Sequence, residues 1–343
     1  MSVAFGSLEV AHLPARRGFN FPYALAVLSR QSSGNVYVWT AASDPADLNR
    51  PFPWMSVTKF LVAVAFWRQS LAAPALSLHT LVGSPAAAEV KLVDLLSHCS
   101  GLPFDAPMAA PDQPRLGVEF GIARPDARAI APFTKRIYSN YNFELAGAIA
   151  EKAVGKPWAD WVRETVLEPL GMNGTVLSHS PAWGAVGPVS DLARLAGELL
   201  SPEAGILGFT ERDLDGFCAP QHPGLRGLLP GYGPQKDNLW ATGVELHGVK
   251  SPHYLPVSFP PEVIGHFGQS GSFIWVDRVA GAAGAFLGAQ DSIGVVQNGL
   301  HHGNNIESVP ERAPGSGRLR AGGVRVVRKG LQIIQGKWRQ VLI

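Results

Sequence analysis

Charged side chains are scarce in this sequence. Asp, Glu, Lys and Arg make up 16% of its 343 residues, and the formal net charge is +2. Disordered chains carry the opposite balance, so the chain is read as folded. A near-neutral chain also gives no basis for nucleic acid as a partner. Long apolar runs are missing too. The longest uncharged ones, residues 60–67 and 279–289, fall short of the roughly 20 residues a membrane-spanning helix needs. The opening residues, MSVAFGSLEVAHLPARRGF, lack the apolar core behind a basic end that marks an export signal, so a cytoplasmic location is expected. Cysteine is nearly absent: Cys99 and Cys218 read as reduced thiols rather than a disulfide. No His-x-x-x-His or paired-Cys cluster points to a metal, and no cofactor is expected. Glycine and proline are plentiful but without period, which excludes collagen-like and low-complexity chains.

Apolar residues are plentiful at 46%, enough for a large core. Residues 24–28 and 36–40 are β-rich and flank the turn signal QSSGN, which predicts a hairpin. A helix is predicted from about Ser56 to about Ser70. It is apolar on every side over residues 60–67, the mark of a buried helix. Residues 88–215 read as mainly helical. One segment stops at Gly101 and Pro103, another closes at Gly155, Pro157 suits the first turn of a third, and Ser190 is placed as the N-cap of a fourth. Residues 240–246, 273–277 and 281–287 turn β-rich again. The expected architecture is α/β (α+β): an antiparallel sheet built from both ends of the chain, flanked by helices, with an inserted helical lobe. The corresponding boundaries are a discontinuous sheet domain of residues 1–85 and 220–297, and a helical lobe of 86–219.

Three short segments can carry chemistry. Ser56-Val57-Thr58-Lys59 places a hydroxyl and an amine one turn apart on a helix, with Ser56 at the end where free N–H groups favour negative charge. Burial would lower the pKa of Lys59 and make it a base toward the hydroxyl. The bland alternative is an N-cap serine with a snorkelling lysine. Tyr138-Ser139-Asn140, read as extended, would point a phenol and a carboxamide the same way, into one cleft. A loop tyrosine and a turn-forming Asn are the alternative. In GHFGQSG, residues 265–271, glycines flank His266 just before a strand, so a ligand or another backbone is expected to approach closely there. A plain hairpin turn with an exposed His is the alternative.

Together, in this order and at these spacings, the three segments resemble the serine β-lactamase and penicillin-binding protein superfamily, in particular class C β-lactamases, family VIII carboxylesterases and D-aminopeptidases. Further likenesses are the run DLLSHCSGLP at residues 94–103, the turn EPLGM at 168–172 and the helix start VSDLAR at 189–194. The resemblance implies that Ser56 is the nucleophile, Lys59 its activator and Tyr138 a general base and then acid. Asn140 belongs to the same motif, His266 and Gly268 to the third, and Gln269 supplies the backbone N–H that completes an oxyanion hole with Ser56. His266 stands where many of these enzymes carry lysine. A mostly neutral histidine that still donates a hydrogen bond favours neutral esters over anionic substrates. The expected function is therefore hydrolysis of small neutral acyl esters. A β-lactamase or D-peptidase activity on amides and a silent binding protein are the alternatives; in each case the partner is a small molecule. The resemblance also implies a long C-terminal helix, but residues 298–343 carry eight Lys/Arg against two Asp/Glu and no helical stripe. That basic tail is expected to be a replacement segment or the product of a shifted reading frame.

Overall fold

The structure, a computed structural model, describes residues 21–72, 76–82, 89–105, 130–202 and 205–289; the basic tail lies outside them. Strands β1 (Tyr23–Arg30) and β2 (Val36–Ala42) form the predicted hairpin, and Gly34 takes the positive φ of 83° that its turn requires. Two short strands, β3 (Phe52–Pro53) and β4 (Val176–Leu177), lie either side of β5 (Ala185–Gly187) in a small sheet. β6 (Gly227–Leu229) and β7 (Gly233–Gln235) pair with each other. β8 (Glu245–Leu246), β9 (Ile264–Phe267), β10 (Phe273–Asp277) and β11 (Ala282–Gly288) complete the main sheet, whose order is β2-β1-β11-β10-β9-β8 with every assigned pair antiparallel. Joining β1 to β11 seals strands from opposite ends of the chain into one layer, Ala26 opposite Ala285.

Helix α1 (Val57–Ala72) is buried from Val57 to Phe66, as its apolar sequence requires. α2 (Leu92–Leu96), α3 (Asn140–Val154) and α4 (Trp158–Val162) follow, and α5 (Val189–Leu200) packs on β1, β10 and β11. Alternate residues of β1 face opposite ways: Ala24, Ala26 and Leu28 join the large core with α1 and α5, while Tyr23, Leu25 and Val27 meet Phe286 on the other face.

Four local expectations are corrected. α3 begins at Asn140, so the Tyr138 segment is a helix entry rather than an extended run. Pro157 caps α4 from outside instead of sitting in its first turn. α5 is capped by Pro188, with Ser190 already inside the helix. Of residues 240–246, only the last two form a strand; Trp240 makes isolated bridges to Gln221 and Glu245. Among the described residues no helix is long and apolar enough to cross a membrane, and no cluster of His, Cys, Asp and Glu could hold a metal ion. Cys99 and Cys218 are both free.

Candidate active site

β3 runs directly into the turn that presents Ser56. Phe52 and Pro53 pair with Gly187 and Val186. Trp54 then donates its backbone N–H to Ala185 O at 2.9 Å and its indole N–H to Gly187 O at 3.2 Å. Met55 takes φ = 49°, a left-handed conformation costly for a residue with a side chain. That turn leaves the half-buried Ser56 immediately before α1, at the end where backbone N–H groups lack helical partners. Thr58 secures the turn from the other side by accepting the N–H of Ala185 at 3.0 Å.

Lys59 lies one turn into α1 and is completely buried, which rules out a snorkelling side chain. Its Nζ donates to Asn140 Oδ1 at 2.7 Å and to Ala182 O at 2.9 Å, with a longer contact of 3.4 Å to Ser56 Oγ. It also sits 4.9 Å from the centre of the Tyr138 ring. Burial lowers its pKa to about 7, although the carboxylates of Glu144 and Asp105 pull it upward. A large share of this amine is therefore unprotonated near neutral pH. Tyr138 shares a hydrogen bond with Ser56. Burial pushes its phenol above the ordinary range, and that bond draws it only partly back. At neutral pH the pair is thus a phenol beside a titrating amine, not a phenolate beside a fixed ammonium.

Tyr138 and Asn140 converge through a helix cap. Ser139 is the N-cap of α3, accepting the N–H of Asn142 at 3.1 Å, and it donates its hydroxyl to Pro103 O at 2.6 Å. The DLLSHCSGLP run buttresses this cap. His98 Nδ1 accepts the backbone N–H of Ser139 at 3.1 Å, which places its proton on Nε2. The His98 ring lies 4.7 Å from that of Tyr138 and 4.6 Å from that of Trp240. Burial holds its pKa well below the usual value, so it is a neutral spacer that sets the tyrosine.

His266, at the end of β9, is completely buried; the turn it precedes is a hairpin, but the histidine is not exposed. Its ring lies 6.0 Å from Tyr138. Burial, reinforced by Lys59, lowers its pKa to about 3. Nδ1 meets Phe267 O at 2.9 Å, and a carbonyl can only accept, so the proton is committed there. Nε2 is left as a buried acceptor with no partner among the described residues. The hydrogen bond expected from this histidine to a substrate is therefore already spent on the backbone.

The turn after His266 is fastened to β3: Ser270 and Ser272 donate their hydroxyls to Pro53 O at 2.8 and 3.0 Å. Gly268 comes so close that a Cβ on it would stand 2.3 Å from Trp54 O and 3.3 Å from Ser56 N. Gln269, the next residue, is exposed. Because the nearest obstacle is backbone, Gly268→Ala must widen the gap between this turn and Ser56. On the oxyanion role and ester hydrolysis that the sequence leads one to expect, it should lower kcat about 100-fold, the usual cost of spoiling one oxyanion donor, while KM changes little; ester-hydrolysis kinetics test that expectation.

Ser56, Lys59, Tyr138 and Asn140 thus meet at one place, with His266 and Gly268 on its far wall. Sequence reading missed His98, Trp240 and Asp105. The histidine inside the DLLSHCSGLP run is a usable signal for the first; a single acidic residue two positions after a proline offers none for the last.

The family description "Beta-lactamase" matches residues 31–296. A β-lactamase structure from Mycobacterium bovis is 34% identical, superposes with a TM-score of 0.66, and is matched over 80% of this chain and 89% of its own. A β-lactamase/D-alanine carboxypeptidase from Yersinia pestis shares the fold at 17% identity, with a TM-score of 0.58 over 79% of this chain and 87% of its own. The D-alanyl-D-alanine-carboxypeptidase/endopeptidase AmpH of Escherichia coli is 30% identical over 118 residues, covering 32% of this chain and 29% of that protein, so the match spans under a third of its length. With a family match across most of its length, the chain belongs to the beta-lactamase family of serine hydrolases.

Proposed function

We propose that the protein hydrolyses small neutral acyl esters through an acyl-enzyme on Ser56. The observation that carries this reading is the buried Lys59 amine, with a pKa of about 7, touching Ser56 Oγ and Asn140 Oδ1 beside Tyr138. Ser56 Oγ attacks the carbonyl carbon while its proton passes to Lys59, with the Tyr138 phenol as relay. The oxyanion rests on the backbone N–H groups of Ser56 and Gln269, each worth about 3 kcal/mol in a transition state. Collapse breaks the bond to the leaving alkoxide, which takes its proton from the Lys59–Tyr138 pair. Water then attacks the acyl carbon and gives one proton back to that pair, and Ser56 leaves as the alcohol.

Neutral esters are favoured because the third motif offers no fixed cation. His266 is neutral, and Asp105 and Glu144 both act electrostatically on Lys59. A substrate carboxylate would find repulsion where lysine-bearing relatives would offer a counter-charge.

Intact-mass measurement after treatment with an alkyl fluorophosphonate is expected to show one adduct on the wild type and none on Ser56→Ala. The same pair is expected to hydrolyse, and fail to hydrolyse, p-nitrophenyl butyrate. A Ser56→Ala protein that still turns over the ester would sink the assignment. Rapid turnover of a penicillin by the wild type, lost in Ser56→Ala, would move the substrate class from esters to β-lactams.

A further inference from the structure

We propose that Asp105 is a positioning residue of this site, whose carboxylate fixes the face that the Asn140 amide turns toward Lys59. The inference rests on the acyl-transfer reading of Ser56.

An asparagine amide carries an acceptor on one side and two donors on the other, and only its neighbours choose between the two rotations. Asn140 Nδ2 donates to Asp105 Oδ1 at 2.9 Å, and Asn140 Oδ1 accepts from Lys59 Nζ at 2.7 Å. A carboxylate can only accept. In the opposite rotation the amide oxygen would face the carboxylate and the amide NH2 would face the amine, so both contacts would be lost together. Asp105 and Lys59 therefore select the same rotation from opposite ends, and the amide links them.

The acid is held where it can do this. Pro103 O accepts the Ser139 hydroxyl, and Phe104 O accepts the Asn140 backbone N–H at 2.6 Å. Asp105 follows with its side-chain bond to Asn140. Three successive residues thus dock on the helix cap that carries Asn140, although they lie some 35 positions away in sequence.

Charge is the second effect. The titratable groups acting on Lys59 or ringed around it are Asp105, Glu144 of α3, Tyr138, His98 and His266, with Glu245 and Lys250 acting on His266 in turn. Both histidines are neutral, and the phenol is un-ionised. Asp105 and Glu144 supply the negative charge that burial opposes. Glu144 is tied to the Ser180 hydroxyl at 3.0 Å, whereas Asp105 is exposed and meets the site through Asn140. Removing the charge of Asp105 should let the Lys59 amine deprotonate at lower pH.

The test follows the rate of Ser56 labelling by an alkyl fluorophosphonate from pH 5 to 9 in wild type, Asp105→Ala and Asp105→Asn, with thermal melts confirming that each variant is folded. Asp105→Ala is expected to lose about tenfold in the maximal labelling rate with reagent affinity unchanged, less than the roughly 100- to 10,000-fold an acid–base group itself contributes, as fits a residue that acts through Asn140. Asp105→Asn retains an acceptor for Nδ2 and is expected to recover most of that loss. In both variants the acid limb should move to lower pH by roughly half a unit. Asp105→Ala labelling within twofold of wild type, or a limb that stays in place, overturns the proposal, and so does a loss confined to reagent affinity. A wild type that takes no label at all removes the Ser56 reading itself, which is a different result from unaffected variants.

Discussion

Lys59→Met is expected to lower kcat/KM for an ester about 1,000-fold while leaving the fold more stable near neutral pH. The thioether fills the buried volume but can neither take the Ser56 proton nor return one to the leaving group. Ser56 then keeps only its oxyanion donors. Stability moves the other way because of linkage. The Lys59 pKa is about 7 in the folded protein and about 10.4 in an unfolded chain. Between those values the unfolded state binds more protons, so wild-type stability rises with pH across that window. Below pH 7 the full cost of burying the ammonium is present; above 10 it has vanished. The variant escapes this cost but leaves Asn140 Oδ1 and Ala182 O without their donor, which offsets part of the gain. The melting temperature of Lys59→Met should therefore exceed that of the wild type most at pH 6, with the gap shrinking toward pH 9. The wild-type pH–rate profile has the same origin: kcat/KM should climb through an acid limb centred near pH 7 as the amine loses its proton. A limb near 4, or a variant less stable than wild type at pH 6, would contradict the assignment of Lys59 as the base.

The elements legible in the sequence are those whose causes are local. The β1–β2 hairpin is announced by QSSGN, with Gly34 at the position that needs positive φ. α1 is announced by apolar residues on every side, and the end of α3 by Gly155, whose φ is 72°. The misses arise where a partner distant in sequence decides. Asn140 could be extended or helical on its own residues. The Ser139 hydroxyl, accepting the N–H of Asn142 while donating to Pro103 O, makes it the first residue of a helix. Trp240 has the composition of a strand residue, yet it is held by isolated bridges to Gln221 and Glu245, and its ring packs on His98 and His266.

The candidate site divides the same way. Ser56, Lys59, Tyr138, Asn140, His266 and Gly268 are findable because each stands in a short motif. Their electrical state is not. Whether Lys59 is an ammonium, or His266 a donor, depends on burial and on carbonyls such as Phe267 O, and no spacing rule reports either. Residue type thus points to the cluster, while the protonation states of its groups emerge from packing.

Glu245→Ala is expected to destabilise the protein by about 3–5 kcal/mol, among the largest effects available to one substitution outside the catalytic group. Glu245 lies on β8, wholly buried, with Oε1 3.0 Å from both Lys250 Nζ and His253 Nε2. Burial alone would raise the pKa of its carboxyl; Lys250 and then His253 outweigh it and bring the value to about 2. Deleting the carboxylate leaves the Lys250 ammonium buried against the carbonyls of Leu239 and Leu246 without its ion-pair partner, with only the weaker field of Asp237 to oppose its charge. The damage should reach activity as well, because Glu245 pairs with Gly265 and Leu246 with Ile264, the residues leading into His266. Urea unfolding measures the loss. The control is the double variant Glu245→Leu/Lys250→Met: removing both charges should restore most of the stability, since the penalty lies in the orphaned charge rather than in the missing pair. Acid should act as the single variant does. The carboxyl's folded pKa of about 2 lies below the unfolded value of about 4.3, so its contribution is complete above pH 4.3 and disappears as pH falls toward 2. A Glu245→Ala protein that unfolds at the wild-type urea concentration would mean that the charges at the back of this sheet are solvated in solution, and that Lys250 needs no partner.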